Sequence, residues 1–147
     1  MSRYLLVDGH SVIFHWQDLC ALHSRNSQKA REVLRQKLSA LHDTGEWCVT
    51  LVFDGRGETS SSEGNEKSMA VIYSSAGQTA DSIIEKIVGA QETRDNITVV
   101  TADEAERETL EALGARVFSP DWLLQELQSR LGDMKNIIDS VHKQARW

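Results

Sequence analysis

The chain has 147 residues, 40% of them apolar, which is enough for one domain with a full core and requires no second domain. Its formal net charge of −6 argues against a protein that coats nucleic acid without regard to sequence. The two cysteines, Cys20 and Cys48, form no C-x-x-C motif, so neither a disulfide framework nor a zinc site is indicated and a reduced, cytoplasmic setting is expected. No apolar run approaches the roughly 18 residues of a membrane span.

The amino-terminal apolar run ends on Asp8 and a turn glycine. A short continuous apolar run of this form predicts a strand buried on both faces, which delivers a carboxylate to the carboxyl edge of a sheet. Two later runs are β-branched or aromatic and end in the same way, on Asp54 and Asp103. The three runs cover residues 4–7, 50–53 and 97–102.

The three strand-end aspartates predict a common site, because the carboxyl ends of strands in an open parallel sheet line one crevice where ligands bind. Carboxylates gathered there repel one another unless a cation lies between them. Carboxylates without cysteine or clustered histidine are the ligand set of Mg²⁺ or Mn²⁺. The alternative for each residue alone is structural, since Asp8 and Asp103 also suit a helix N-cap and Asp54-Gly55 an ordinary turn.

A short helix is predicted over residues 11–22, and His10 precedes it at the lip of the crevice. His10 is either a solvated loop residue or a ring that stacks on a base. A second helix is predicted from residue 27, because apolar residues recur at spacings of three and four until Gly45. Its remaining face is basic, either as a solvated surface or as a patch that attracts a polyanion. The basic residues of this region are Arg25, Lys29, Arg31, Arg35 and Lys37.

The strand that ends on Asp54 is predicted over residues 48–54, and one further strand is predicted over residues 69–73. Residues 55–68 between them are rich in glycine and serine and have almost no apolar anchor. Loops of this length in compact domains are functional or disordered. We therefore expect residues 55–68 to be the most mobile segment of the domain.

Another helix is predicted over residues 79–88, with Thr79 as its N-cap and Gly89 as a stop signal. Asp81 falls in its first turn, where the helix dipole favours a negative charge, and this is the structural interpretation of the residue. At 100° per residue, Asp81 and Glu85 lie together at the edge of the buried arc. Both carboxylates are therefore expected at the border of the core, next to the neighbouring elements of the fold.

The last third of the chain continues the alternation of strands and helices. A helix over residues 104–113 precedes a strand over 115–118, and Pro120 suits the first position of a further helix. Residues 132–147 are expected to form a helical extension. This alternation predicts an α/β protein with a parallel, doubly wound sheet.

Six blocks of the chain follow one another in a recognisable order: LLVDGHSVI, SQKAREVLRQKL, VTLVFDGRG, GQTADSIIEKI, ITVVTADEAER and GARVFSPDWLLQEL. In order and spacing they resemble the YacP-like family of NYN-domain ribonucleases, a branch of the PIN-like nucleases. The resemblance implies a single PIN-like (NYN) Rossmannoid domain over residues 1–131, with a central parallel sheet and helices on both faces. Residues 132–147 would be the carboxyl-terminal extension.

The resemblance also implies a function, namely Mg²⁺- or Mn²⁺-dependent endonucleolytic cleavage of RNA, which in the best-studied branch takes place on mRNA of translating ribosomes. It implies neither a membrane nor a nucleotide cofactor. The acidic centre of the family falls on Asp8, Asp54, Asp81 and Asp103 of this chain, and its A-R-x-x-L element falls on Arg31.

These matches lead to a concrete hypothesis for catalysis. Asp8 and Asp81 would hold the main ion, and Asp103 would complete its shell directly or through water. Asp54 would bind a second ion or orient the nucleophile. Arg31 would face the site from the basic helix and clamp a neighbouring phosphate.

One departure from the family concerns its first motif, D-G-Y-N, which reads Asp8-Gly9-His10-Ser11 here. Ser11 can donate a hydrogen bond to a water or phosphate oxygen, but it lacks the paired donor and acceptor of Asn. An alternative is therefore a catalytically weak or inactive RNA- or ribosome-binding module of the same fold. A phosphatase would need a second acid where His10 stands, and a dinucleotide-binding oxidoreductase would need a G-x-G-x-x-G motif that is absent.

Overall fold

The computed structural model describes residues 3–57, 61–63, 68–75 and 77–132. The strands are β1 (Tyr4–Asp8), β2 (Cys48–Gly57), β3 (Ser61–Glu63), β4 (Ala70–Ser75), β5 (Ile97–Val100) and β6 (Arg116–Phe118). The helices are α1 (Gly9–His15), α2 (Gln17–Arg25), α3 (Ser27–Asp43), α4 (Ala80–Ala90), α5 (Glu104–Ala112) and α6 (Pro120–Leu127), and a π-helical turn at Gln128–Gly132 follows α6.

The strands form one sheet in the order β3-β4-β2-β1-β5-β6. Five of them are parallel, and the short β3 pairs antiparallel with β4 at one edge. This five-stranded parallel sheet flanked by helices confirms the predicted α/β fold class. The first strand, β1, lies between β2 and β5, with Asp8 opposite Val52 and Val7 opposite Val100. The carboxyl ends of these three strands therefore meet at the same edge.

The core has two layers because side chains of a strand alternate between the faces of the sheet. On β1, Leu5 and Val7 pack on one face with apolar residues of α1, α2, α3 and α6. Leu6 packs on the other face with α4 and α5, where Ile84 and Leu110 are fully buried. Both faces being covered explains why the strand sequences are continuous apolar runs.

The segment predicted as one helix over residues 11–22 is two helices, α1 and α2, which meet at Trp16. This residue is extended, with φ −80° and ψ 123°. Its indole ring is buried, and Nε1 donates to the carbonyl oxygen of Pro120 at 2.8 Å. A buried indole N–H requires an acceptor, so this bond ties the junction of α1 and α2 to the start of α6.

The predicted loop over residues 55–68 is partly strand. Strand β2 continues to Gly57, and β3 pairs with β4. The extension begins at Gly55, whose amide donates to the Ser74 hydroxyl at 3.0 Å. A Cβ at Gly55 would lie 2.0 Å from the backbone oxygen of Ser74, so only glycine permits this approach. Residues 58–60 and 64–67 lie outside the described residues, and the mobility of this segment stays a prediction.

Two further predictions concern the end of α4 and the carboxyl-terminal extension. The helix expected to stop at Gly89 continues to Ala90, and Arg94 donates to the Gly89 carbonyl oxygen at 3.0 Å in its last turn. The helical extension expected over 132–147 falls outside the described residues except for Gly132. Within the part of the chain that the structure describes, no helix has both the length and the apolar character needed to cross a membrane.

Candidate functional site

A cleft of about 460 Å³ opens at the carboxyl ends of β1, β2 and β5. Seven of its nine lining residues are polar or charged, and four of these are aspartates. The lining residues are Asp8, His10, Ser11, Phe14, His15, Asp54, Asp81, Ala102 and Asp103. The structure thus brings together on one cleft six of the seven residues that sequence analysis selected, and Arg31 is the exception.

Asp8 is the last residue of β1 and the N-cap of α1, and only 6% of its surface is exposed. It accepts hydrogen bonds from the Ser11 amide at 3.4 Å and from the Ser11 hydroxyl at 3.0 Å. Burial raises the pKa of Asp8 to about 6, the bonds from Ser11 oppose this rise, and the charge of Asp81 adds to it. Asp8 is therefore a helix cap, as its structural interpretation predicted. It is also a buried carboxylate close to the carboxylate of Asp81.

A third carboxylate, that of Glu106 in the first turn of α5, lies close to those of Asp8 and Asp81. One carboxylate oxygen from each of Asp8, Asp81 and Glu106 lies within 4.8 Å of the others. These three residues form the acidic group of the cleft. Glu106 is 3% exposed, and its Oε2 accepts from the Thr101 hydroxyl at 3.4 Å. Its Oε1 has no hydrogen-bond partner among the described residues. Burial, followed by the effect of the neighbouring Asp81 carboxylate, raises the pKa of Glu106 to about 9.

Sequence analysis missed Glu106, although one signal was present. Positions 106, 110 and 113 follow helical spacing, so Glu106 lies in line with Leu110 and Leu113, which belong to the core. A carboxylate on the apolar stripe of a helix is buried at a cost unless something compensates its charge. That spacing could have identified Glu106 as a site residue.

Asp103 caps α5, and its Oδ1 accepts from the amides of Ala105 at 2.9 Å and Glu106 at 3.2 Å. It lines the cleft, but the group of mutually close carboxylates contains Glu106 in the position that sequence analysis gave to Asp103. The physical reason is that the side chain of Asp103 turns back onto its own helix. The close group of carboxylates thus contains Glu106 and not Asp103, and ligation by Asp103, directly or through water, stays a prediction.

Asp81 and Asp54 are positioned by one contact between β2 and α4. Oδ1 of Asp54 accepts from the Ala80 amide at 2.6 Å, which holds the start of α4 against the end of β2. The N-cap of α4 is Thr79, whose hydroxyl accepts from the Ser82 amide at 3.1 Å. Asp81 lies in the first turn of α4, and its half-buried carboxylate joins the acidic group.

His10 is held at the lip of the cleft by Asp54, whose amide donates to His10 Nδ1 at 3.4 Å. The His10 ring also contacts the rings of Phe53, at 5.6 Å between centroids, and Phe14, at 6.1 Å. These contacts make it an ordered part of the cleft wall, and stacking on a base stays a prediction.

Arg31 does not line the acidic cleft. It lines a separate groove of about 530 Å³ together with Arg35 and Tyr73. Its helix, α3, packs into the core through Leu34 and Leu38, and the face that carries Arg31 borders this groove and not the acidic cleft. The buried ring of Phe53 lies between the two cavities, because it contacts both His10, in the cleft, and Tyr73, in the groove.

Fold and site together define a nuclease-like α/β domain with an acidic centre. A family model described as the YacP-like NYN domain matches residues 5–147, and the chain belongs to this family. The chain is 32% identical over 131 residues to the uncharacterized protein YacP of Bacillus subtilis (strain 168), a match that covers 85% of this chain and 75% of that protein.

Two solved structures are similar to this chain. The crystal structure of Rae1 (YacP) from Bacillus subtilis matches with a TM-score of 0.77 and 28% identity, over 97% of this chain and 83% of that one. A mutant of the same protein matches with a TM-score of 0.77 and 28% identity, over 94% and 82% of the two chains. The resemblance found in the sequence blocks is therefore confirmed at the level of family and fold.

Proposed function

We propose that this protein is a metal-dependent endoribonuclease that hydrolyses phosphodiester bonds of single-stranded RNA. The observation that carries the proposal is the convergence of Asp8, Asp81 and Glu106 at the end of the parallel sheet. Neither lysine nor arginine is found among the described residues that line this cleft. The acidic group therefore lacks a fixed countercharge of its own.

The residues present fit a hard divalent cation. Buried Oε1 of Glu106 has no hydrogen-bond partner in the described part of the chain, and the pKa values of Glu106 and Asp8 are raised to about 9 and about 6. Both features are expected when carboxylates are arranged for an ion. An all-oxygen donor set favours Mg²⁺ or Mn²⁺ over zinc.

In this proposal Asp8, Asp81 and Glu106 would hold the ion, with Asp103 acting through water. When bound, the ion supplies charge neutralisation at the phosphate and lowers the pKa of water. Asp54, fixed by the Ala80 amide, binds a second ion or orients the attacking water with its remaining oxygen. Backbone amides donate to Asp8, Asp54 and Asp103, and the Thr101 hydroxyl donates to Glu106. These four carboxylates are therefore oriented before substrate binds.

Ser11 has a different part from the one expected of a phosphate ligand. Its hydroxyl donates to Asp8 at 3.0 Å and lies 3.3 Å from the Thr101 hydroxyl, which in turn donates to Glu106. Ser11 and Thr101 thus connect two of the proposed ion ligands and hold their orientation. This supports activity in spite of the departure from the family motif.

The proposed substrate is cytoplasmic RNA, and the family resemblance extends it to mRNA on translating ribosomes. The experiment is incubation of purified protein with unstructured and structured RNA in Mn²⁺, in Mg²⁺ and in EDTA, beside DNA of the same sequence. We expect cleavage of the unstructured RNA that requires either ion. Cleavage that persists in EDTA would refute the metal site, and RNA that is bound but never cut would favour the binding module.

Arg31 and its groove are proposed to carry the flanking RNA backbone away from the acidic cleft. Arg31→Ala is then expected to weaken RNA binding and to reduce the slope of log affinity against log salt by about one unit or less. The reason is that the variant makes one phosphate contact fewer and so releases fewer counterions on binding. Arg130→Ala is the control, since Arg130 already pairs with Glu126 at 3.0 Å and Glu46 at 3.7 Å. An unchanged salt slope for Arg31→Ala would remove the groove from the proposal.

A further inference from the structure

An exposed aromatic ring stands at the mouth of the acidic cleft. Phe14 is 56% exposed, more than any other large apolar side chain among the described residues. It belongs to neither of the two core clusters. Single exposed apolar residues are ordinary, so the exposure of Phe14 matters only because of where it lies. Its ring lines the same cleft as Asp8 and Asp81.

Two histidines hold the Phe14 ring in place. The ring of His23, from α2, meets it at 4.7 Å with an interplanar angle of 68°. The ring of His10 is roughly parallel to it, at 6.1 Å and 23°. His10 and His23 also contact each other edge to face at 6.4 Å. The three rings, two from α1 and one from α2, form one aromatic cluster at the rim of the cleft.

The position of this cluster relative to the carboxylates is fixed by the chain. Phe14 lies on α1, the helix that Asp8 caps, so the ring and the buried carboxylate belong to one rigid unit. A phosphate held at the acidic group through the proposed ion would therefore bring the bases on either side of it to the rim. Aromatic faces bind unpaired bases by stacking, and this works for any base because every base has a π-face.

We propose that Phe14, supported by His10 and His23, is a platform on which one nucleobase of single-stranded RNA stacks beside the phosphate that is cut. This inference rests on the proposed function, since it assigns a base-binding subsite to the same cleft. The platform selects unpaired RNA, because a base within a duplex cannot present its face. It discriminates little among base identities, and it positions the strand without taking part in the chemistry.

The test is a scan with a short single-stranded RNA in which each position in turn lacks its base. Binding is measured by fluorescence anisotropy in Ca²⁺, whose looser coordination favours binding over cleavage. With the parent protein, loss of one particular base is expected to lower affinity by about 5- to 150-fold, the range of one stacked base. Phe14→Leu keeps the apolar bulk but removes the ring, and it should lower affinity for intact RNA by a similar factor.

The decisive result is the combination of the two changes. In Phe14→Leu, removal of the critical base should have no further effect, whereas Phe14→Trp should retain the dependence on that base. Phe118→Leu, at a ring that is 37% exposed and stacks on Trp122 outside the cleft, should behave as the parent does. Melting curves establish that each variant is folded.

Three outcomes separate this inference from the proposed function. A flat scan, with RNA cut normally by parent and Phe14→Leu, overturns the platform and leaves the nuclease proposal intact. A scan that depends on Phe14 in a protein that never cuts RNA supports the platform and overturns the nuclease proposal. Absence of binding to single-stranded RNA in every condition overturns the platform together with the nuclease.

Discussion

Asp81→Asn is expected to lower Mn²⁺-dependent RNA cleavage at least about a hundredfold. Loss of an outer partner of a metal ligand typically costs 10- to 100-fold, so neutralising a proposed ligand should cost at least the upper part of that range. RNA binding should persist or tighten, because the substitution removes a negative charge close to the phosphate. Single-turnover cleavage and equilibrium binding, measured on the same RNA, distinguish these effects.

The matched control for this substitution is Asp95→Asn. Asp95 is exposed and precedes β5, so it lies at the opposite end of that strand from the cleft. Folding of the Asp81 variant must be checked by melting, since its charge in the first turn of α4 contributes about 0.3 to 1 kcal/mol through the helix dipole. A folded Asp81→Asn protein that cuts RNA at the parent rate would show that this cleft is not the catalytic site.

Glu106→Gln is expected to stabilise the metal-free protein at neutral and alkaline pH. Burial raises the pKa of Glu106 from its ordinary value of 4.5 to about 9, so the folded state keeps a proton that the unfolded chain releases. The native state then binds more protons across this window, and the free energy of unfolding falls as pH rises from 4.5 toward about 9. Glutamine has no proton to lose, so the variant should show a flatter profile.

The measurement is the melting temperature in EDTA at several pH values across that window. Each kcal/mol corresponds to about 2–4 °C in a chain of this size, so a difference of several degrees near the upper end is expected. Asp8, whose pKa is raised to about 6, should leave a smaller slope at the acidic end in both proteins.

Metal ions should reverse the order of the two proteins. An ion that binds only the folded state at about 100 times its Kd adds about 2.7 kcal/mol, and the variant should gain less because it lacks one charged ligand. Glu108→Gln, an exposed change on the same helix, is the control. Identical pH profiles and identical ion-induced shifts in parent and Glu106→Gln would exclude Glu106 from the ion site.

The acidic cleft shows which site residues a sequence can identify. Asp8, Asp54 and Asp103 were recognisable because each follows a short apolar run, and the ends of parallel strands must share an edge. Asp81 required the family resemblance in addition, since a carboxylate in the first turn of a helix is equally suited to the dipole. The roles assigned to these residues remain proposals, whereas their common location is a property of the fold.

Other features depended on packing between segments distant in the chain. Glu106 became a member of the site only because α5 lays its apolar stripe on the sheet and carries the carboxylate with it. Arg31 was placed in the wrong cavity, because helical periodicity gives the face of a helix but not the groove that the face meets. Trp16 interrupts a continuous apolar pattern through its bond to Pro120, which lies 104 positions further along.

The sequence by itself determined the alternation of strands and helices, the parallel sheet and the edge at which its aspartates collect, because local apolar runs and chain direction are sufficient for these. Only the tertiary structure decided which carboxylates come within ligand distance and which rings meet at the rim. Glu106 approaches Asp8 and Asp81 from a third segment, and His23 reaches Phe14 from a separate helix. Such contacts arise from the way elements pack, and the spacing of residues within one element does not contain that information.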